Sequence, residues 1–320
     1  MKLSFMYSFL KSDIDVIERE LEMAIRSNSS LLNDASLQFI QAGGKRIRPV
    51  FVLLSAKFGD YDIEKVKHVA VALELIHMAS LVHDDVIDDA ETRRGKKTIK
   101  AIHGNRIAMY TGDYIFARSL EYMSAIESEE AHKILAETIV EVCLGEVEQI
   151  KDKYVMDQHV KTYFRRIKRK TALLIAVSCQ LGGIAAGASK NVHRNLWLYG
   201  YYVGMSYQII DDILDFTATE KELGKPAGGD LLQGNITLPV LFAREDKEIA
   251  ELLESIYEDM PKEQLEVVLE KIKNSDAIEK SYKVSQAYLQ KALKVVDRLP
   301  DQKIKKTLKD IALYIGKRKS

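Results

Sequence analysis

Apolar residues recur three and four positions apart over most of this chain and almost nowhere alternate strictly, which predicts amphipathic helices rather than half-buried strands. A first segment, about Asp13 to Arg26, sets Ile14, Ile17, Leu21 and Ile25 on one face and Glu18 and Arg19 on the other. It predicts a helix docked on the core or on a partner. A longer one, Val66 to Ala90, predicts a single helix whose apolar stripe includes Val66, Val69, Leu73 and Ile76. Only five prolines occur, and none lies between Pro49 and Pro226, so that interval lacks the strongest helix breaker. Breaks are expected at Ala42-Gly43-Gly44, Gly59-Asp60, Gly95, Gly187 to Asn191, Gly224 to Gly234, Pro261 and Pro300, while Pro49 suits a first helical turn. With no linker-like stretch and no repeat of fixed period, the expectation is an all-α, single-domain bundle over residues 1–320, with an N-terminal helix within residues 1–30.

Charge narrows the range of partners. Lys and Arg total 47 against 47 for Asp and Glu, so no global field gathers nucleic acid, and any anion must be held by local clusters. No apolar run reaches the length of a membrane span and no signal-peptide core precedes Asp13 and Asp15, so no stable membrane insertion and a cytoplasmic location are expected. Cys143 and Cys179 match no metal or redox spacing and are expected to be buried, reduced thiols.

Candidate chemistry begins where the long apolar stripe runs into acid. At about 100° per residue, Ile76, Ser80, Asp84 and Asp88 share one face, with Asp85 and Asp89 beside it. Carboxylates this close repel and require a cation, and oxygen donors without a ring of His or Cys select Mg²⁺. A second cluster, Asp211, Asp212 and Asp215, lies among Ile209, Ile210, Ile213 and Leu214, with Gln208 one turn before Asp212. Buried carboxylates between apolar neighbours are hard to explain without a metal. Basic groups stand apart from one another. Lys45, Arg46 and Arg48 follow Gly43-Gly44 just before a helix N-terminus, a favourable place for an anion. Arg93-Arg94-Gly95 follows the first cluster, Lys170-Thr171 opens the apolar run Ala172 to Val177, and Lys225 follows the second cluster. Arg165, Arg166, Lys168 and Arg169 read as a solvated face. None of these groups is a P-loop. His77 reads either as a core histidine or as a phosphate contact.

Two DDxxD segments, Asp84-Asp85-Val86-Ile87-Asp88 and Asp211-Asp212-Ile213-Leu214-Asp215, together with Gly43-Gly44-Lys45-Arg46-Ile47-Arg48-Pro49, resemble the trans-polyprenyl diphosphate synthases over nearly the whole chain. The resemblance implies an isoprenoid-synthase-type bundle whose two aspartate helices face each other across a central cavity. It implies Mg²⁺ held by Asp84, Asp88, Asp211, Asp212 and Asp215, with Asp85 in the first catalytic group. Arg93, Lys170, Thr171, Gln208 and Lys225 would hold an allylic prenyl diphosphate, and Lys45, Arg48, His77 and Arg94 isopentenyl diphosphate. Lys170 and Gln208 would also take part in catalysis, near the allylic cation. Asn235 departs from the pattern, since many relatives carry Lys before Thr-Leu-Pro. A narrower likeness within the family, carried by Met1 to Phe9 and Cys143 to Ile150, implies a heterodimer with a small non-catalytic subunit, where the family otherwise forms homodimers. It also implies a heptaprenyl product for the menaquinone side chain.

Small Ala79 and Ser80 one turn before Asp84 leave a growing chain free to pass toward Ile76, which predicts a medium or long product. Two other chemistries compete. A His-Asp metal phosphohydrolase would use His68, His77 and His83 but leaves the second cluster unexplained. A terpene cyclase needs no isopentenyl diphosphate site.

Overall fold

The apolar spacing is realised as helices along most of the described residues. The computed structural model describes residues 3–41, 43–219, 227–257, 260–301 and 303–318. In chain order the helices are α1 (Leu3–Met6), α2 (Lys11–Ala24), α3 (Ser30–Gln41), α4 (Ile47–Ala56), α5 (Ile63–Ile87), α6 (Ile99–His103), α7 (Asn105–Ser124), α8 (Glu129–Lys151), α9 (Val160–Ile167), α10 (Leu173–Ala185) and α11 (Lys190–Thr217). They continue as α12 (Gly229–Leu232), α13 (Leu238–Ala243), α14 (Lys247–Glu254), α15 (Lys262–Lys273), α16 (Ala277–Asp297) and α17 (Ile304–Gly316). A π-helical turn, Lys168–Ala172, joins α9 to α10. Extended structure among the described residues is a two-stranded ribbon, β1 (Thr92–Arg93) antiparallel to β2 (Lys96–Lys97). No helix among the described residues is long and apolar enough to cross a membrane.

The chain forms two compact units. The first comprises Met1–Leu135, Val177–Trp197 and Pro300–Thr307. Its centre is α5, buried on every side from Val69 to Ile76, as expected of a helix that is apolar all round. The helix starts at Asp62, whose side chain accepts the Glu64 amide at 3.0 Å. It ends three residues before the Ala90 expected from periodicity, because Asp88 is the C-cap and Asp89 turns left-handed, φ 52°. Against α5 packs α4, buried from Pro49 to Ala56. Gly182 lets α10 close on α4, since a Cβ there would stand 2.3 Å from the Val52 carbonyl oxygen.

Helix α2 buries Ile17 and Leu21, and Ile25 just past its end, as its periodicity predicts, while Ile14 is half-buried. Glu18 departs from that pattern. Placed on the polar face by periodicity, it accepts Arg46 Nε at 2.6 Å. Arg46 is itself buried and left-handed, φ 46°, and reaches Glu74 of α5 at 3.3 Å.

The second unit comprises Ala136–Ala176, Leu198–Leu299 and Leu308–Ser320. One of its cores gathers Tyr163, Ile167, Ala172, Met205, Ile209, Ile210, Ile213, Leu214 and Leu238 around the middle of α11. Gly204 admits the π-helical turn against α11, as a Cβ there would lie 2.6 Å from Ala172 Cα.

Two expectations about polarity are corrected. Cys179 is buried but Cys143 is exposed, because α8 turns that face to solvent. Arg166 is buried rather than solvated, because its guanidinium finds acceptors inside, Gln158 Oε1 at 2.9 Å and the Ile236 carbonyl.

Candidate active site

In the first unit the acidic end of α5 meets basic groups from two loops. The ribbon after α5 pairs Thr92 with Lys97 and Arg93 with Lys96, leaving Arg94 (φ 54°) and Gly95 (φ 74°) as a two-residue turn. Two left-handed residues in succession are the type I′ geometry that matches the twist of a hairpin. The ribbon carries Arg93 back to α5, where its Nε and Nη2 both stand 2.7 Å from Asp85 Oδ1. Asp85, expected beside the inward face, is the buried member of the cluster, and Asp84 and Asp88 are half-buried. Burial pushes the Asp85 carboxyl up, Arg93 works against that rise, and Asp84 and Asp88 add to it. Asp89 is exposed and paired with Lys100.

The loop before α4 lies against the same ribbon. A Cβ on Gly44 would stand 2.9 Å from Arg94 Nη1 and 3.0 Å from Arg46 Nη1. His77, two turns before Asp84, shares this environment. Withdrawal from water and then Arg48, Arg94, Arg93 and Arg46 hold its imidazole neutral, with a pKa well below the ordinary value. A neutral imidazole among four guanidiniums is a setting for an anion and repels a metal cation. Lys45 is exposed on the same loop.

His83 faces away from the cluster. Its Nε2 stands 3.2 Å from Asp113 Oδ1 and 3.3 Å from the Met109 carbonyl, over Gly112, where any Cβ would clash. These partners occupy the His83 imidazole that the phosphohydrolase reading would use. Along the inner stripe Ile76 and Ala79 are buried, and the Ser80 hydroxyl donates to the His77 carbonyl at 2.9 Å.

In the second unit the candidates lie on α11 and the π-helical turn. Asp212 and Asp215 are buried and Asp211 is about a third exposed, so the expected buried trio is a buried pair with a more open neighbour. Tyr163 Oη donates to Asp212 Oδ2 at 2.7 Å, and Gln208 Nε2 donates to its Oδ1 at 2.8 Å. Desolvation first, then Asp230 and Asp211, push the Asp212 carboxyl up to about 8 against those two bonds. Asp215 Oδ2 accepts the Asp230 amide at 3.1 Å. Asp211 stands 2.9 Å from Arg318, whose guanidinium lies 4.6 Å over the Tyr207 ring. Lys170 pairs with Glu146 at 3.1 Å, and Thr171 Oγ1 donates to Gln208 Oε1 at 2.6 Å. The wider π-helical turn sets these two side chains at the junction of α9 and α10, a frequent place for function. Lys225 lies outside the described residues.

Two contributors were not among the candidates. Tyr163 and Arg166 both serve the second cluster, the first by its hydroxyl and the second by charge. The available signal was a phenol on the inward face of the strongly amphipathic segment Val160–Ile167, eight residues before Thr171. Among the described residues no three His, Cys, Asp or Glu side chains converge into a set able to hold a metal ion by themselves. The donor chemistry still fits a hard cation. Both clusters are oxygen donors, one carboxyl in each is raised by burial and by its acidic neighbours, and Mg²⁺ commonly completes its shell with water and phosphate oxygens.

A family model described as polyprenyl synthetase matches residues 29–274. Heptaprenyl diphosphate synthase component 2 of Bacillus subtilis (strain 168) is 66% identical over 319 residues, covering 100% of this chain and 92% of its own. Its counterpart from Geobacillus stearothermophilus is 60% identical over 318 residues, 99% of each chain. The solved heptaprenyl diphosphate synthase from Staphylococcus aureus matches with a TM-score of 0.93 at 44% identity, over 97% of this chain and 99% of that one. The polyprenyl synthase from Caulobacter crescentus CB15, complexed with calcium and isoprenyl diphosphate, matches with a TM-score of 0.94 at 29% identity, over 100% and 98%.

Proposed function

Because this chain belongs to the polyprenyl synthetase family, we propose that it is the catalytic chain of a heptaprenyl diphosphate synthase. It extends an allylic prenyl diphosphate, farnesyl or longer, with isopentenyl diphosphate units. The observation that carries this reading is the acidic end of α5 met by Arg93, 2.7 Å from Asp85, with Arg94 against the Gly44 loop beside it, on a chain 66% identical along its length to a heptaprenyl synthase component.

Asp84, Asp88, Asp211 and Asp215 would hold divalent metal, for which Mg²⁺ is the ion best matched to carboxylate and phosphate oxygens. When bound, that metal supplies positive charge to a departing diphosphate. Asp85 holds Arg93, and Asp212 holds Gln208, so both central carboxylates orient other groups.

The remaining chemistry is electrostatic and needs no side-chain nucleophile. Arg93 and Lys170 attract the allylic diphosphate, with Lys225 assigned to the same task by its place in the motif. As the allylic carbon–oxygen bond breaks, its electron pair leaves on the diphosphate, and these cations stabilise the growing negative charge. Thr171 and Gln208 present oxygen dipoles suited to the allylic cation left behind. Lys45, Arg48, His77 and Arg94 hold isopentenyl diphosphate, whose double bond attacks that cation before a proton is lost. His77, neutral, contributes a hydrogen bond without adding charge. The inner stripe of Ile76, Ala79 and Ser80 takes the lengthening chain. Ser80 turns its hydroxyl back to the helix and so shows its methylene to that chain.

Its relatives' designation as component 2 supports a partner component, which we assign as a smaller subunit. We assign the product to a quinone side chain, that of menaquinone, and the enzyme to the cytoplasm. The test is incubation of the purified chain with labelled isopentenyl and farnesyl diphosphates, with and without Mg²⁺ and with and without the smaller subunit. A Mg²⁺-dependent ladder ending at heptaprenyl is expected. No elongation under any of these conditions sinks the reading.

A further inference from the structure

Three hydrogen bonds in series tie α9 and the π-helical turn to one turn of α11. Tyr163 Oη reaches Asp212 Oδ2 at 2.7 Å, Asp212 Oδ1 receives Gln208 Nε2 at 2.8 Å, and Gln208 Oε1 receives Thr171 Oγ1 at 2.6 Å. Direction passes along this series. Gln208 turns the NH₂ side of its amide, which can only donate, to Asp212 Oδ1. The amide oxygen then faces Thr171, and that hydroxyl must donate. A hydroxyl whose one proton is committed has only lone pairs left for anything else.

Tyr163 heads the series and is firmly seated. It is fully buried, the Phe164 ring lies tilted beside it at 5.5 Å between centroids, and the Arg166 guanidinium lies 5.9 Å from the ring. Arg166 is fixed in turn by Gln158 and the Ile236 carbonyl. Without the phenol, the buried Asp212 Oδ2 loses its donor, the carboxylate can rotate, and the Gln208 amide loses its preferred face. The Thr171 proton would then be free to turn toward a diphosphate oxygen. Such a bond strengthens the bound ground state, whereas catalysis requires the interaction made in the transition state.

We propose that Tyr163 is a positioning residue for prenyl transfer, acting through Asp212 and Gln208 to keep Thr171 a donor to protein and an acceptor toward substrate. The proposal rests on the prenyl-transfer reading above and adds a residue that never touches the substrate.

The test is a double-mutant cycle of Tyr163→Phe with Thr171→Ala, assayed in the complete synthase with its smaller subunit at saturating Mg²⁺. Wild-type elongation is scored first, so that its absence, which overturns the underlying reading and the proposal with it, is distinguished from failure of the cycle. Tyr163→Phe is expected to lower kcat about tenfold, the scale of one lost orienting hydrogen bond. KM for isopentenyl diphosphate should stay within about twofold, since that subsite is built by other residues. In the Thr171→Ala background the same substitution should do nothing further, because the series no longer has an end to position. An unchanged kcat, or the same tenfold loss in both backgrounds, overturns the proposal. Should Tyr163→Phe fail to fold, 3-fluorotyrosine at position 163 keeps the ring and alters the strength of the donor. It should shift kcat in the Thr171 protein and not in Thr171→Ala, and equal behaviour in the two overturns the proposal.

Discussion

Asp85 and Asp212 hold the same place in the two aspartate pentads, and each is 3% exposed, yet different groups hold them. Asp85 has the Arg93 guanidinium at 2.7 Å, brought back to it by a tight ribbon. Asp212 has a phenol and an amide, donors without charge. The surroundings differ as well. The first pentad closes α5, where the carbonyl end of the helix dipole disfavours carboxylates, and the second lies within α11 among buried isoleucines. One spelling of five residues thus gives a central carboxylate held by a counter-charge and another held by neutral donors, with the cation of the second cluster, Arg318, standing on Asp211 instead.

Removing the built-in counter-charge should have the largest effect. Arg93→Gln leaves Asp85 buried beside two carboxylates, and we expect kcat to fall about 100-fold through loss of transition-state charge stabilisation. Because Arg93 is 30% exposed, the stability loss is discounted to about 2 kcal/mol, to be read from urea unfolding. A fall in activity with no change in unfolding midpoint would break the comparison for the first cluster.

The second cluster is addressed by pH. The unfolded chain gives up the Asp212 proton near its ordinary pKa of 3.8, while the folded protein keeps it to about 8. Between those values the folded state binds more protons, so stability from this group falls as pH rises from 4 to 8. Metal-free protein should melt lower at pH 8 than at pH 6, and Asp212→Asn should flatten that slope. Mg²⁺ should raise the melting temperature more at pH 8, where it compensates the charge. Equal stabilisation by Mg²⁺ at both pH values would mean the cluster has another source of compensation.

A smaller effect is expected from Gly204→Ala, which thrusts a methyl against Ala172. It should cost about 1–3 kcal/mol in thermal or urea unfolding, with kcat falling as the π-helical turn shifts. The mildest expected change is Ala79→Phe, which should shorten the product and leave the Mg²⁺ requirement as it was. Product of unaltered length would show that the stripe on α5 does not guide the chain.

Much of this was legible in the sequence. The 3.6-residue spacing located the helices, and apolar neighbours on both sides of Asp212 and Asp215 marked that cluster as buried. Periodicity failed where a distant partner decides which polar residue goes inside. It placed Asp85 beside the inward face, whereas Arg93 returning along the ribbon makes it the buried member of the cluster. It put Glu18 on the polar face of α2, although Arg46 reaches it from another segment. Arg166 looked like one cation in a basic run and is buried because Gln158 and the Ile236 carbonyl receive it. The π-helical turn left no signal, since its extra residue is accommodated by Gly204 on a helix more than thirty positions away.

The ribbon turn at Arg94 and Gly95 bears on rates as well as on affinity. A non-glycine residue held left-handed costs about 1 kcal/mol or more, and the fold meets that cost before any ligand arrives. A diphosphate bound there, as proposed, would find two guanidiniums whose backbone is already set, so little of its binding energy would go into ordering a loop. Release should be correspondingly prompt, because no loop has to melt for the anion to leave. An enzyme that adds one unit after another at the same receptor must refill it at every cycle, and a receptor that neither folds around its guest nor unfolds to free it suits that traffic.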